Sequence, residues 1–564
     1  MTSSVNTIGN RTFVSGLASG LDTRALLDAG YQQRSQRADR LDVRIDQNSA
    51  KISAYRELQN LTQSLADSVG NLRRVYDVLG LESNSWDVRS GTLESSDASI
   101  DPLGVISVGI ENGARTTNYD IRTIQKASAE RVASSGAAGT FADRNAALGH
   151  SGAFDIGLAG EATVNISITN DMSLNDIVAR INNSSSETNV SAEIISNGNT
   201  SRLLIRADET GKAIDYTVTS GDDMFEVLGI TDAGGAYTDR VSTSRPAIVE
   251  FEGIQITNSS NDFTNVVDGV SFSVLSAQPG ATISLEINND TSTAKTAIND
   301  FIESYNALRE FIIQNEQVNA DGSIPEDAVL FSENTLEDLS SNLQDILGTN
   351  VSTAAGIETL RQIGITLDAD NRLRVSDAAT LDNALLNNFD SVRALFETQV
   401  SFDNPNIQVT RNNTDRDFNF SLDVTTSGGV ITGVSADGDN AAFEISGNRL
   451  IGAEGTIYAG LTLTYIGGEN ATINVNITQG VADKMYQVSN RNANIVGGDI
   501  QTTIANLEEL NTGFTEEATE IRGRADAWRE REINRLAALE ARIQAAEILI
   551  DQIKAVLDVQ RGDD

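Results

Sequence analysis

Apolar residues in the N-terminal segment recur at the spacing of one helix face. Steps of three, four and seven residues separate them, which places them in a narrow stripe along an α-helix. The members of this stripe are Leu41, Ile45, Ile52, Tyr55, Leu58, Leu61, Leu65, Val69 and Leu72. The pattern predicts a long amphipathic helix that packs either in an ordinary helical bundle or against a coiled-coil partner.

The C-terminal segment carries a more regular seam. Its apolar positions alternate between steps of three and four, as the a and d positions of a coiled coil do. We favour a coiled-coil partner for this segment over an ordinary bundle helix. The seam consists of Leu536, Leu539, Ile543, Ala546, Ile550, Ile553 and Leu557.

A lone seam of this kind is too weak to order a long helix. Burying its apolar side chains contributes roughly 10–20 kcal/mol gross. Fixing some 30 backbone residues costs on the order of 30–60 kcal/mol before hydrogen bonds are counted. We therefore predict that the extreme ends are mobile until they pair with each other or with another subunit.

Between the two ends the pattern changes to the alternation that is typical of β-strands. Residues 162–168 and 202–207 read as two strands on either side of a short amphipathic helix at 173–182, which Ser173 can cap. Residues 247–287 indicate a meander of strands, and helical spacing returns at 293–312.

A second strand-rich stretch, 401–480, contains many Gly, Asn and Asp residues that suit tight turns, and we interpret it as an insertion between helical segments. Both chain ends lack proline, as long helices require. We predict an α+β multidomain fold with a discontinuous helical coiled-coil or bundle domain from both chain ends and β-rich lobes in the middle. The predicted segments are a flexible N-terminal leg (1–38), an N-terminal helix (39–80), two β-rich lobes (81–292), return helices (293–400), the inserted β-rich domain (401–480), and C-terminal helices with the coiled coil (481–564).

The composition narrows the chemistry. There is no cysteine, which excludes disulfides, zinc–thiolate sites and a cysteine nucleophile. The single histidine, His150, lies in a loop of small residues, where a catalytic role is the less simple interpretation. Asp368-Ala-Asp370 begins like a calcium loop, but Arg372 stands at a ligand position, so we expect an Asx-rich turn. We expect no enzymatic activity, no metal and no cofactor.

The charge excludes a further class of partner. The net charge is −39, and residues 81–480 hold 56 of the 80 acidic but only 21 of the 41 basic residues. Such a surface repels phosphate backbones, so we expect no nucleic-acid partner. No apolar run reaches about 18 residues and the first residues lack an apolar core, so we expect neither a membrane span nor a Sec-type signal peptide.

An ordered set of motifs resembles one known family, the flagellar filament capping proteins (FliD). The resemblance begins at SGLASGLDT (15–23) and continues through the N-terminal helix to the C-terminal coiled coil. Gly30 departs from the family pattern, because a glycine there puts the continuity of the first helix in doubt by roughly 1 kcal/mol. The inner motifs are TNYDIRTIQKASAERVAS (117–134), FEGIQITNSSNDFTNVVDGVSF (251–272), FIESYNALREFI (301–312), residues 364–396 and TQGVADKMYQ (478–487).

The resemblance implies a structural cap at the distal tip of the bacterial flagellum. Such proteins form a homo-oligomeric ring, commonly a pentamer, that retains exported flagellin and promotes its folding and insertion. The implied partners are further copies of the chain, flagellin, hook-associated junction proteins and a flagellar export chaperone. The implied location is extracellular, reached through the flagellar type III route without a cleaved signal peptide. The role of the 401–480 insertion does not follow from the resemblance.

The resemblance also gives the candidate contact residues. The N-terminal motif would supply a flexible joint and apolar anchors for a leg that contacts the filament, with Asp22 or Thr23 capping the helix that follows; a frayed export tail is the alternative. Trp528 is either a core residue of the helical domain or an intersubunit contact. The predicted leg contacts are Gly16, Leu17, Gly20, Leu21 and Asp22, and the predicted coiled-coil residues of the first helix are Leu41, Ile45 and Ile52.

Two other functions stay open. A hook–filament junction protein also has long terminal helices, and an adhesin or surface-sugar enzyme can have an acidic β-rich body. The complete order of motifs favours the cap over the junction protein. The near absence of His and Cys argues against an enzyme, although it does not argue against adhesion.

Overall fold

The described residues divide into two compact units. One takes its residues from Met1–Gly80 and Lys295–Asp564, and the other is Leu81–Ala294. The computed structural model describes residues 5–8, 11–14, 22–76, 84–353, 356–414 and 416–561. The predicted leg residues Gly16, Leu17, Gly20 and Leu21 lie outside these ranges.

The chain opens with two short antiparallel strands, β1 (Val5–Ile8) and β2 (Arg11–Val14), and then the long helix α1 (Thr23–Gly70). Asp22 caps this helix, because its Oδ1 accepts a hydrogen bond from the amide of Ala25 at 3.0 Å. The helix therefore begins at Thr23 and not at residue 39, and it runs through Gly30 without a break.

The second unit contains two β-rich lobes. In one, the sheets β12-β6-β10-β9 and β11-β7-β8 enclose a core to which helices α2 and α4 also contribute. In the other, the sheets β14-β13-β5-β17-β3 and β15-β16-β4 share a second core. Its elements are β3 (Arg89–Ser95), β4 (Ile106–Ile110), β5 (Thr117–Gln125), β6 (Arg131–Ala133), β7 (Gly152–Leu158), β8 (Thr163–Ile168), α2 (Leu174–Asn183), α3 (Ser185–Thr188), β9 (Val190–Ser196), β10 (Ser201–Ala207), β11 (Ile214–Gly221), α4 (Met224–Val227), β12 (Arg240–Ser242), β13 (Ala247–Phe251), β14 (Ile254–Asn258), β15 (Asp262–Val267), β16 (Val270–Val274) and β17 (Ile283–Asn289).

The local predictions for this unit hold better than the predicted strand order. Ser173 caps α2 in a reciprocal capping box with Asp176, whose carboxylate accepts from both the amide and the hydroxyl of Ser173. Accepting these hydrogen bonds lowers the pKa of Asp176 below its ordinary value. The predicted meander at 247–287 is wrong. β15 and β16 leave the sheet that contains β13 and β14, and β17 returns to it beside β5.

The chain then enters a helical segment with one small hairpin. Asp368 shapes the hairpin turn, since its Oδ1 accepts from the amides of Asp370 and Arg372, both at 2.9 Å. This confirms the Asx-rich turn. The elements are α5 (Thr291–Glu316), α6 (Asn334–Gly348), β18 (Ile365–Leu367), β19 (Leu373–Val375), α7 (Ala378–Asn387) and α8 (Phe389–Phe396).

The predicted insertion folds as two four-stranded antiparallel sheets, ordered β20-β27-β22-β23 and β21-β26-β25-β24. Alternate residues of these strands face one aromatic-rich core, in which Tyr458 packs against Phe418, Phe420 and Phe443. The strands are β20 (Gln399–Phe402), β21 (Ile407–Asn412), β22 (Phe418–Ser427), β23 (Val430–Ala436), β24 (Phe443–Ser446), β25 (Arg449–Gly452), β26 (Leu461–Tyr465) and β27 (Ala471–Thr478).

Two helices end the chain, α9 (Val481–Ala493) and α10 (Asp499–Arg561). Both contact α1, so residues from the two ends of the sequence build one helical domain. This confirms the predicted α+β fold with a discontinuous helical domain and β-rich middle lobes. Across the ranges that the structure describes, no helix has the length and apolarity that a membrane crossing requires.

Candidate functional site: the terminal helix pair and its extension

Helices α1 and α10 run antiparallel along each other. Gln59 of α1 lies 3.5 Å from Gln501 near the start of α10, measured between the side-chain amide atoms. Asn48 donates to the Asn511 side chain at 2.9 Å, further along both helices. Residue numbers therefore decrease along α1 as they increase along α10. The N-terminal part of α1 lies beside the middle of α10, where Arg529 contacts Asp28.

A small apolar cluster holds the middle of this pair. Leu41 and Ala38 of α1 are buried against Ala518 and Ile521 of α10, and the half-buried Phe514 packs beside them. Small side chains on both helices let the backbones approach closely. Of the predicted seam residues on α1, Leu41 and Ile52 are buried and Ile45 is half-buried.

The glycine that puts the first helix in doubt has a packing role. The indole ring of Trp528 lies directly over Gly30, where an added Cβ would sit 2.8 Å from Cζ3 and closer still to Cη2. The Arg34 guanidinium covers the indole at 3.9 Å from the ring centroid. Trp528 thus inserts between α1 residues one turn apart, and its predicted intersubunit contact remains a prediction.

Charged pairs line the edges of the helix pair. Arg522 of α10 contacts both Asp39, at 3.3 Å, and Asp42 of α1. These hydrogen bonds raise the pKa of the Arg522 guanidinium above its ordinary value. Arg37 pairs with Glu517, and Arg529 pairs with Asp28. Such exposed pairs contribute about 0.2–1 kcal/mol each, so they set the register more than the stability.

Helix α1 is also fixed to the rest of the helical domain. Tyr55 donates from its hydroxyl to Glu333 at 3.0 Å, and Lys51 pairs with the same carboxylate. Burial, together with the neighbouring Glu333 charge, raises the pKa of Tyr55 above its ordinary value. The first helix is therefore anchored in the domain while it also carries α10.

The predicted C-terminal seam lies beyond this pairing. Among the described residues, the hydrogen bonds and ion pairs between α10 and α1 end at Arg529, whereas α10 continues to Arg561. Leu536 and Ile543 are half-buried, but the other seam positions stand in solvent. Their exposures are 45% for Leu539, 50% for Ile550, 51% for Ile553 and 52% for Leu557.

The exposed apolar surface of the extension is wider than the a/d seam alone. Leu549 and Val556 are also more than half exposed and lie one position before Ile550 and Leu557 along the helix. They widen the seam to about three positions per heptad, which suits contact with more than one partner helix. The described part of the chain supplies no segment that covers this surface.

The remaining candidate residues do not join this site. His150 lies in the second unit, where its Nδ1 is 3.0 Å from a carboxylate oxygen of Asp222. Within the described ranges, no group of three or more metal-ligating side chains comes together. The features that stand out in the helical domain are the α1–α10 pair and the exposed apolar extension of α10.

The contacts that hold the pair together could not be predicted from the sequence. Gly30, Trp528 and Arg34 form one packed unit, and Arg522 and Arg529 reach acidic residues about 480 to 500 positions away. The sequence signals for the packing of Trp528 on Gly30 were a glycine within a helical pattern and an aromatic residue on the other terminal helix. The ion pairs have no signal in a single sequence.

Comparison with known families identifies matches over most of the chain. The family model described as the flagellar hook-associated protein 2 C-terminus matches residues 244–547. The model of the flagellar hook-associated protein 2 N-terminus matches residues 19–130, and the flagellin hook IN motif matches residues 153–209.

Individual relatives are distant. The lateral flagellar hook-associated protein 2 of Vibrio parahaemolyticus is 29% identical over 234 residues, which cover 40% of this chain and 49% of that protein. The B-type flagellar hook-associated protein 2 of Pseudomonas aeruginosa is 27% identical over 41% of this chain and 52% of its own length. The chain thus spans about half the length of these two relatives. Among solved structures, the D1-D2-D3 domains of the flagellar cap protein FliD from Escherichia coli are 25% identical, with 61% of this chain and 90% of that chain covered at a TM-score of 0.46.

Proposed function

The chain belongs to the flagellar hook-associated protein 2 family, and from this premise we propose that it is the structural cap of a bacterial flagellar filament. In this role it forms a homo-oligomeric ring at the distal tip, retains exported flagellin, and promotes the folding and insertion of flagellin. Five subunits are the expected number. The observation that carries the proposal is the family match over residues 244–547 together with the exposed seam of α10.

The two parts of the helix pair suit two tasks. The paired part, with Leu41 and Ile521 buried, provides a fixed arm within each subunit. The extension from Leu536 to Leu557 provides an apolar surface that is stabilised only when something covers it. A leg that orders on contact and loses order on release can leave one filament position and engage the next.

The predicted leg residues fit this scheme as part of the proposal. Gly16 and Gly20 would form a joint, Leu17 and Leu21 would anchor the leg, and Asp22 fixes where the rigid helix begins. The seam of α10 would then contact the N-terminal segment, another subunit or the filament. Trp528, at the end of the paired part, is close to where such contacts would start.

The proposed partners follow from the same role. They are further copies of the chain, flagellin, hook-associated junction proteins and a flagellar export chaperone. The proposed location is the flagellum tip outside the cell, reached through the flagellar type III export route. A chain without cysteine suits that route, since no disulfide has to form after transport. The proposed role is structural and needs no cofactor and no catalytic group.

Deletion of the gene in the source organism tests the cap directly. We expect filaments to disappear and monomeric flagellin to accumulate in the culture supernatant, and we expect added purified protein to restore filaments. Normal filaments in the deletion strain would overturn the proposal and leave an adhesin or accessory surface protein as the alternative.

A pair of charge-matched variants tests the role of the seam. Ile550→Asp with Ile553→Asp places two charges on the exposed apolar line, so we expect this protein to fold but to fail to restore filaments. Gln544→Asp with Gln552→Asp adds the same charge to exposed positions off the seam and should restore them. Equal restoration by both variants would show that the seam is not the contact surface.

A further inference from the structure

A cavity of about 650 Å³ lies where the helical domain meets the inserted β-rich domain. The helical domain contributes the segment after α1 and one face of α9, and the insertion contributes strand β21 and the residues after it. Its volume falls within the roughly 300–1,000 Å³ that small-molecule sites occupy. The proposed cap function does not use this cavity.

Arg73 and Tyr486 line the cavity on the side of the helical domain, and contacts with residues outside the lining hold Arg73 in place. Arg73 donates from Nε to the buried carboxylate of Asp483 at 3.1 Å. Its guanidinium also stacks on the Tyr486 ring, 3.9 Å from the centroid. Thr398 holds the other oxygen of Asp483 with its amide at 2.7 Å and its hydroxyl at 2.8 Å. A site whose groups are held in place before binding loses less free energy to ordering.

The wall from the insertion supplies a positive charge, the Arg411 guanidinium, that pairs with no carboxylate of the described residues. Arg411 lies at the end of β21, and among the described residues it has no ion-pair partner, although the chain holds 80 acidic residues. Instead, the side-chain amide of Asn413 lies beside it; with the amide oxygen turned toward the guanidinium, that oxygen accepts from Nη2 at 2.9 Å and from Nε at 3.1 Å. A neutral amide thus orients the guanidinium and leaves its charge in place.

Apart from Arg491, the rest of the lining is neutral and rich in hydrogen-bonding groups. Tyr76 and Tyr486 offer ring faces, and Gln487, Asn490 and Thr410 offer amide and hydroxyl groups. Arg491 adds a second guanidinium beside the cavity. Among the described residues the lining contains no carboxylate. In a chain of net charge −39, a pocket of this composition favours an anionic ligand.

We propose that this cavity binds a small hydroxylated carboxylic acid, of the class and size of an acidic monosaccharide such as a uronic or sialic acid. The planar guanidinium of Arg411 matches a single carboxylate in a two-pronged arrangement. The neutral amides and hydroxyls match the hydroxyl groups of a sugar, and the tyrosine rings match its apolar face. One oriented guanidinium suits one carboxylate better than a phosphate chain. The site is independent of the proposed cap function, because it lies apart from the seam of α10.

Calorimetric titration of the full-length protein tests the site with defined probes. Sodium glucuronate and N-acetylneuraminate are the acidic sugars, glucose is the neutral sugar, and inorganic phosphate and AMP are the anions without a sugar acid. We expect at least one acidic sugar to bind with Kd below about 1 mM, and the other three probes to bind at least about tenfold more weakly.

Three variants assign that binding to the cavity. Arg411→Gln should weaken the acidic sugar about tenfold or more, and Arg411→Lys should have an intermediate effect because it keeps the charge but loses the planar fork. Arg449→Gln removes the same charge from an exposed position in the same sheet, outside the cavity, and should bind as the parent does. Circular dichroism and thermal melting confirm that each variant is folded.

Several results would overturn the proposal. Absence of binding by both acidic sugars, or equal binding of glucose, would remove the carboxylate as the recognised group. Tighter binding of phosphate or AMP would replace the ligand class. An equal loss in Arg411→Gln and Arg449→Gln would reduce the effect to the overall charge of the protein.

Discussion

The two parts of helix α10 carry the same types of apolar residue but have opposite surroundings. In the first part, Ile521 is 6% exposed and packs against Leu41 of the other chain end. In the second part, Ile553 is 51% exposed and the described chain offers it no partner. The same residue type on the same helix is thus core in one place and surface in the other.

The two parts also differ in their apolar spacing, and only the part with the irregular spacing packs against another segment of the described chain. The paired part is held by small residues, one tryptophan over a glycine, and charged pairs, and its apolar spacing is irregular. The exposed part has the most regular a/d spacing of the sequence. A regular a/d seam packs best against a helix with the same regular spacing. The apolar stripe of α1 already packs within the helical domain, so it is not available to this seam.

The largest expected effect compares the same truncation in the two parts. Ile521→Ala should lower the free energy of unfolding by about 2–4 kcal/mol, because it leaves a cavity against Leu41. Ile553→Ala should change it by less than about 0.5 kcal/mol in the isolated protein. Urea unfolding followed by circular dichroism measures both. A large loss in Ile553→Ala would mean that the extension is already buried in solution.

The next effect concerns the glycine under Trp528. Gly30→Ala should destabilise the protein by about 1–2 kcal/mol, since overlap with the indole outweighs the gain in helix propensity. In a Trp528→Ala background the same change should be neutral or stabilising. Gly523→Ala is the matched control on α10, where a Cβ meets nothing within 4 Å, and it should stabilise. Equal effects of Gly30→Ala in both backgrounds would disprove the contact.

A smaller, local effect is expected at the start of α1. Asp22→Ala removes the acceptor for the Ala25 amide and should cost about 1 kcal/mol. The loss should show as faster hydrogen exchange in the first turn of α1 and not in its middle. Asp46→Ala, at an exposed position within the helix, should leave that exchange unchanged. Uniformly faster exchange along α1 would show that the pair opens as a whole and not from this end.

The smallest effect is electrostatic. Arg522→Gln removes contacts with Asp39 and Asp42 and should cost about 0.5–1 kcal/mol at low ionic strength, with the difference shrinking as salt is added. Arg535→Gln loses only a pair with Glu532 on its own helix, so it should change stability less. Thermal melting at two salt concentrations separates them. A salt-independent loss in Arg522→Gln would assign its role to packing.

Much of the fold could be predicted because local rules decide it. The helix cap at Ser173 and the Asx turn at Asp368 follow from residues within one turn of each other. The terminal helices follow from helical apolar spacing without proline. Strand order in the middle could not be predicted, since β17 joins β5 and β3 across long stretches of sequence. Alternation fixes which residues face a core but not which strands are neighbours.

The candidate site was predicted in part for the same reason. Spacing alone located the seam from Leu536 to Leu557. The cap at Asp22 was among the predictions, but the continuity of α1 was doubted because Gly30 was weighed by its intrinsic helix propensity alone, without its packing under Trp528. The cavity beside Arg411 could not be predicted, because its walls come from three separate stretches of the chain.

The contact between Gln59 and Gln501 also has a kinetic consequence. Closing a loop of that length is slow compared with forming a helix or a hairpin, so α1 must wait for its partner while the β-rich lobes can already collapse. Until residues 499–529 are present, the stripe on α1 has only part of its packing surface. We therefore expect the helical domain to assemble after the β-rich lobes have folded.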